Sequence, residues 1–263
     1  MTSTQPLQSF SLKTSTGTFL LHASEKALKS SGPILLLLHG AFRHAVGLLD
    51  LYRVLAKNID CALIDLPGHG NSPAFGATHP SAMAQRLAEP INTMFKHRPV
   101  FIVGESAGGI VALELASFGF INVCGIVLGD VPLSPWNSSQ LARSLIDAIS
   151  RQADQEFAWK FSEDFFGIKS NEQYDKREYY ELMKSVKIPM LALAGTRKNI
   201  DDGSLMTDED ISFIKDLNNP LISLEFLDAG HLIFNESTEM AAELITRFAS
   251  SCLRDIRLKY NQS

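Results

Sequence analysis

Six consecutive residues carry the strongest chemical signal in the chain: Gly104-Glu105-Ser106-Ala107-Gly108-Gly109. They fit the pattern G-x-S-x-G, in which a tight turn lifts a serine hydroxyl while glycines on both sides let neighbouring backbone approach. The flanks are those that such a turn requires. An apolar run at 100–103 precedes it, and a helical pattern at 107–118 follows, with Ile110, Val111, Leu113 and Leu115 on its apolar side. Ser106 then stands at a helix N-terminus, where partial positive charge favours an anionic intermediate. An ordinary glycine-rich turn shares the composition but not this strand-to-helix setting. A serine hydroxyl is a poor nucleophile until a base takes its proton, so a histidine is required. Of the seven in the chain, His39 and His69 fall in loop motifs, and His22, His79 and His97 in hairpin or loop-like stretches. His44 lies close behind His39-Gly40, and His231 follows a late apolar run and Ala229-Gly230.

The elements that must position these residues are legible in the hydropathy pattern. Residues 7–13 and 18–23 flank Gly17 and read as a hairpin. Runs at 34–38, 61–65, 100–103, 125–128, 190–194 and 222–227 are read as strands in the middle of a sheet covered on both faces. Spacings of three and four at 46–56, 107–118 and 240–253 predict helices with one buried face. This alternation predicts an α/β fold, a mostly parallel central sheet flanked by helices. One stretch, 131–187, breaks the rhythm. It has no clear strand and holds Trp136, Phe157, Trp159, Phe161, Phe165, Phe166, Tyr174, Tyr179 and Tyr180. It reads as a short helical lid (cap) inserted into a core made of 1–130 and 188–263; the alternative is extra helices packed on the sheet.

Taken together, the chain resembles the α/β-hydrolase family from about residue 7 to residue 253. Besides the serine turn, the resemblance rests on His39-Gly40-Ala41-Phe42 after an early strand, on Asp65-Leu66-Pro67-Gly68-His69-Gly70-Asn71-Ser72, which is similar to the family's D-x-P-G-x-G-x-S loop, and on Ala229-Gly230-His231. The resemblance implies Ser106 as nucleophile and His231 as base. It implies an oxyanion hole made of the backbone N–H groups of Ala41 and Ala107. The family usually keeps its triad acid after the strand at 190–194, often three residues beyond a glycine, but that position is Lys198. The loop beyond it supplies Asp201 and Asp202, and a minority placement after the preceding strand points to Asp130. Asp201 is weighted first, Asp130 second and Asp202 last. Phe42, Arg43 and His44 would line the mouth of the site, with Arg43 either reading a substrate carboxylate or simply solvated. Trp136, Trp159, Phe165 and Phe166 would supply the apolar substrate pocket from the lid.

The implied reaction is hydrolysis of a carboxylic ester, thioester or lactone through an acyl-enzyme on Ser106. A carbon–carbon bond hydrolase or a proton-abstracting lyase on the same triad is the nearest rival. The loop at 65–72 also resembles that of the family's menaquinone-pathway lyases, although Ile110-Val111 stand where those often carry an arginine. A catalytically silent binding protein on the same fold is the second rival, supported by Lys198 alone. Serine at the turn argues against epoxide hydrolases and haloalkane dehalogenases, which use aspartate there. It also argues against the cysteine-based dienelactone hydrolases. Other chemistries lack their motifs. No G-x-G-x-x-G or G-x-x-x-x-G-K-[ST] offers a nucleotide cradle, and no H-E-x-x-H offers a metal, so neither cofactor nor metal is expected. The 263 residues carry a net charge of −5, which disfavours nucleic acid as a partner and leaves a small-molecule substrate. Three cysteines are too few for a disulfide framework and suit a reducing compartment. With no signal-peptide pattern and no apolar run near the 20 residues of a membrane span, a cytoplasmic protein is expected.

Overall fold

The computed structural model describes residues 6–14, 17–74, 76–119, 122–171, 173–199 and 202–260. The strands are β1 (Gln8–Thr14), β2 (Gly17–Ala23), β3 (Ile34–Leu38), β4 (Asp60–Ile64), β5 (Val100–Glu105), β6 (Val123–Gly129), β7 (Met190–Gly195) and β8 (Ile222–Leu227). They form one eight-stranded sheet in the order β1-β2-β4-β3-β5-β6-β7-β8. The β1/β2 hairpin joins β4 antiparallel, and every pairing from β4 to β8 is parallel. This is the α/β-hydrolase fold.

The helices are α1 (Glu25–Lys29), α2 (Leu49–Leu55), α3 (Pro80–Phe95), α4 (Ala107–Phe118), α5 (Ser139–Ser150), α6 (Gln155–Phe166), α7 (Tyr180–Ser185), α8 (Asp208–Asp216), α9 (Ile233–Glu236) and α10 (Thr238–Tyr260). The central strands are apolar on both sides because both faces are covered. Ile34, Leu36 and Leu38 of β3 and Val100 and Ile102 of β5 pack with α3 and α4. Their alternates Leu35, Leu37, Phe101 and Val103 pack with α2 and α10. Successive side chains of a strand point to opposite faces, so a five-residue apolar run fills two cores at once. Helix α3 is missing from the sequence reading. Pro80 opens it, where a missing N–H is harmless, but Pro90 inside it breaks the helical signal.

Between β6 and β7 the chain forms a 3-10 turn at Pro135–Asn137, then α5, α6 and α7, with no sheet strand among the described residues. Helix α6 turns its aromatic face inward. The Phe161 ring stacks on Phe165 at 4.4 Å and meets Phe42 and His69 edge-on at 5.2 and 5.0 Å. No helix among the described residues is long and apolar enough to cross a membrane.

The parallel register lines up the carboxyl ends of the later strands. Glu105 of β5 pairs with Gly129 of β6, Gly129 with Leu193 of β7, and Gly195 with Leu227 of β8. In open α/β sheets this edge is where ligands bind.

Candidate active site

Ser106 sits between the end of β5 and the start of α4 with φ 51° and ψ −120°. A non-glycine residue at positive φ is strained by about 1–3 kcal/mol, and such strain persists only where the surroundings enforce it. Here they do. The Ser106 N–H donates to Gly129 O at 3.0 Å, and its carbonyl accepts from the Gly109 N–H at 2.9 Å. The flanking glycines are required sterically. A Cβ at Gly104 would lie 2.4 Å from the Gly108 backbone, and one at Gly108 would lie 2.4 Å from Leu38 O. The turn therefore presses α4 against both its own strand and the end of β3, with Ser106 nearly buried at 4% exposure.

The carboxylate that meets His231 is Asp130. His231 Nδ1 lies 2.8 Å from Asp130 Oδ2, with the Asp130 side chain fully buried and that of His231 21% exposed. Three further donors fix the carboxylate. Gly195 N donates to Oδ1 at 3.0 Å, Ser204 Oγ to Oδ1 at 2.6 Å, and Leu205 N to Oδ2 at 2.8 Å. The first-weighted Asp201 lies outside the described residues. Asp202 is exposed, and its carboxylate accepts from the Asn199 side chain; only its backbone carbonyl reaches the base segment, accepting from His231 N at 3.2 Å. Of the two described candidates, Asp130 is the one whose carboxylate meets His231. The physical reason lies in the loop after β7. Lys198, at the usual acid position, donates its ammonium to Met206 O at 2.9 Å, and the loop folds so that Ser204 and Leu205 face Asp130 as donors.

The loop after β3 brings Ala41 to the same edge. Among the described residues, the N–H groups of Ala41 and Ala107 are engaged by no hydrogen bond. Phe42 beside Ala41 has φ 56°, a second strained residue in the site. His39 braces this loop. Its Nδ1 donates to Gly40 O at 2.8 Å, and its Nε2 accepts from Leu66 N at 3.1 Å, which fixes a neutral ring. Burial pushes its pKa down to about 3. Asp65 adds a second brace, accepting from Ala45 N at 2.7 Å and Asn71 N at 3.0 Å. Burial alone would raise its pKa, but His22 and these two N–H groups outweigh that and hold it at about 2.

Several expected substrate residues are placed otherwise. Arg43 is not a free carboxylate reader. Its guanidinium pairs with Glu105 at 2.5 Å and donates to Asn235 Oδ1 at 2.9 Å. Phe165 and Phe166 are fully buried, at 0% and 1% exposure, and pack against Phe161 inside the core. Trp136 and Trp159 are half-buried, and Phe42 faces Phe161 of α6. His44 is exposed. The sequence reading missed the ion pair at Glu105 and the Ser204 hydroxyl on Asp130. Adjacency of Glu105 to the serine was its only sequence signal.

Residues 35–244 match the sequence profile of the Alpha/beta hydrolase family. The chain is 32% identical over 133 residues to the pimeloyl-[acyl-carrier protein] methyl ester esterase of Chromobacterium violaceum, covering 48% of this chain and 49% of that one. It is 22% identical over 233 residues to the 2-succinyl-6-hydroxy-2,4-cyclohexadiene-1-carboxylate synthase of Shigella dysenteriae, covering 89% and 88%. Several curated relatives are matched over less than half of their own length. A thermophilic esterase from Thermogutta terrifontis superposes with a TM-score of 0.67 at 18% identity, covering 93% of this chain and 99% of that one, which is a likeness of fold.

Proposed function

The chain belongs to the alpha/beta hydrolase family, and on that premise we propose that it is a serine hydrolase that opens a carboxylic ester, thioester or lactone with Ser106, His231 and Asp130. The observation that carries this reading is the 2.8 Å contact of His231 Nδ1 with buried Asp130, just past the strand next to the strained Ser106 turn. Asp130 accepts a hydrogen bond from Nδ1–H, so His231 Nε2 is left free to accept a proton. Nε2 takes the Ser106 hydroxyl proton as Oγ attacks the carbonyl carbon. The negative charge formed on the carbonyl oxygen is met by the Ala41 and Ala107 N–H groups and by the N-terminus of α4. His231 then returns its proton to the leaving oxygen or sulfur. In the second half it takes a proton from water as the water oxygen attacks the acyl carbon, and hands it to Ser106 Oγ as the acid departs. Residues 131–187 act as the lid over this edge, supported by the contact of Phe161 with Phe42 beside Ala41. No step calls for a cofactor. A cytoplasmic setting agrees with the free thiols of Cys61, Cys124 and Cys252.

The relative that is a synthase favours a second reading, proton abstraction by the same groups without an acyl-enzyme. Ile110 and Val111 count against it, because both are buried in the core and offer no cation to a charged substrate. One experiment separates the readings. The protein is treated with a fluorophosphonate probe and then offered p-nitrophenyl esters of rising chain length beside lactones. Serine hydrolysis predicts stoichiometric modification of Ser106 and a burst of p-nitrophenol. A chain that neither labels nor turns over esters overturns it.

A further inference from the structure

Arg43 stands two residues beyond Ala41 and bridges three separate segments. Its Nη1 donates to Glu105 Oε2 at 2.5 Å, and its Nη2 donates to Asn235 Oδ1 at 2.9 Å and to Gly47 O at 3.3 Å. Asn235 closes the ring by donating to Gly47 O at 2.9 Å. Glu105 immediately precedes the nucleophile and is fully buried, and Asn235 lies on α9, four residues past His231. One guanidinium thus ties the loop that carries Ala41, the turn that carries Ser106 and the segment that carries His231.

A buried carboxylate next to Ser106 is otherwise hard to account for. Its charge opposes the oxyanion that forms on substrate, and a buried ion pair is roughly neutral for stability against apolar side chains of the same volume. Burial raises the Glu105 pKa, and Arg43 and, behind it, His231 offset that only in part. What the pair does supply is geometry. The planar guanidinium holds several acceptors at once in fixed directions. Phe42, at φ 56°, would relax if the loop were free to; with Phe161 against its ring on one side and Arg43 anchored on the other, it is not.

The geometry points to Arg43 as a positioning residue that sets the Ala41 N–H against Ser106 and His231, with Glu105 and Asn235 as its anchors. This rests on the serine-hydrolase reading. A misplaced oxyanion donor costs rate and leaves ground-state binding nearly untouched.

The test compares wild type with Arg43→Met, Arg43→Lys, Asn235→Ala and the double variant Arg43→Met/Glu105→Gln. Measured are kcat and KM on p-nitrophenyl butyrate, the inhibition constant of a phenyl trifluoromethyl ketone, whose adduct with serine carries an oxyanion, and the melting temperature. Arg43→Met should lower kcat about 100-fold, the order of one lost oxyanion donor, with KM within about threefold and ketone binding weakened in parallel. Arg43→Lys keeps the charge on Glu105 but loses the fork, and should fall about tenfold, as should Asn235→Ala. In the double variant, removal of the unpaired carboxylate should restore the melting temperature without restoring kcat. A double variant with wild-type kcat and ketone affinity overturns the proposal, since the pair would then only cancel a charge. Loss of kcat with unchanged ketone binding overturns it too. If Arg43→Met fails to fold, the double variant and Asn235→Ala decide on the same criteria. A wild-type protein that neither labels at Ser106 nor turns over esters removes the serine-hydrolase reading, and the proposal with it.

Discussion

Replacing Asp130 by Asn tests the acid assignment, and its cost follows from the four donors around the carboxylate. Gly195 N and Ser204 Oγ point at Oδ1; Leu205 N and His231 Nδ1 point at Oδ2. An amide has one oxygen, so its NH2 must face one of these pairs. Ser204 and His231 can each turn round to accept, but a backbone N–H cannot. Either orientation orphans one buried N–H, of Gly195 or of Leu205, at a cost of about 1–3 kcal/mol. At about 2–4 °C per kcal/mol for domains of 150–250 residues, the melting temperature should fall by about 2–12 °C. The backbone adds nothing further, since Asn tolerates the φ of 46° at this position as Asp does. Catalysis loses more. With the NH2 toward His231 the ring adopts the wrong tautomer, which costs about 10⁴-fold in kcat. With the oxygen toward His231 the tautomer survives, but the charge that stabilises the imidazolium does not, and the loss is about 10²-fold or more. Steady-state kcat on a p-nitrophenyl ester, with the pre-steady-state burst, reads both cases. Asp201→Asn and Asp202→Asn, run alongside, should stay near wild type. Asp130→Asn within tenfold of wild type, or a collapse in Asp201→Asn, would refute the reasoning.

Further outcomes follow from the same contacts. Ser106→Ala and Ser106→Gly should both abolish fluorophosphonate labelling, but the glycine variant should unfold at higher temperature, because it releases part of the roughly 1–3 kcal/mol held at φ 51°; equal melting points would remove the strain argument. Phe161→Ala removes a fully buried ring that touches Phe42, His69, Phe157, Phe165 and Phe166, and should cost about 3–5 kcal/mol in urea unfolding; a loss under about 1 kcal/mol means α6 is loosely docked. His39 carries a pKa pushed down to about 3 from 6.5, so below pH 6.5 the unfolded chain takes up a proton that the folded chain refuses, and stability falls as pH drops. The stability difference between wild type and His39→Gln, whose amide can make the same two hydrogen bonds, should therefore shrink by about 1.2 kcal/mol between pH 6 and 5. A difference independent of pH would show that His39 is charged in the fold.

The sheet was legible because its central strands are read twice. Ile34 to Leu38 must satisfy two cores, and so must be apolar at every position, which few other local structures demand. The serine turn was legible for a related reason. Gly104 and Gly108 are forced by backbone contacts of 2.4 Å, so the steric constraint is written into residue type at fixed spacing. Helix α3 was hidden because Pro90 contradicts its local pattern and tertiary packing prevails. The Arg43–Glu105 pair was hidden because its partners are 62 residues apart and meet only once β3 and β5 pair. The burial of Phe165 and Phe166 was not legible because an aromatic-rich segment looks the same whether its rings line a pocket or fill a core.

The acid shows where sequence reading must stop. A motif fixes which strand a residue follows, but the base asks only that a carboxylate reach Nδ1. The ends of β6 and β7 are neighbours in register, Gly129 beside Leu193, and Asp130 itself takes the N–H of Gly195. A carboxylate that rises from either strand can therefore arrive at one point in space. What decides between them is which loop offers donors and which needs them. The loop after β7 offers Ser204 and Leu205 to a carboxylate beneath it and spends Lys198 on holding itself closed. An acid within that loop would have to leave Asp130 buried with two N–H groups and a hydroxyl but no base to serve. The geometry at Asp130 avoids that cost by putting the buried charge and its four donors on the same atoms, which is what supports the proposed placement after β6.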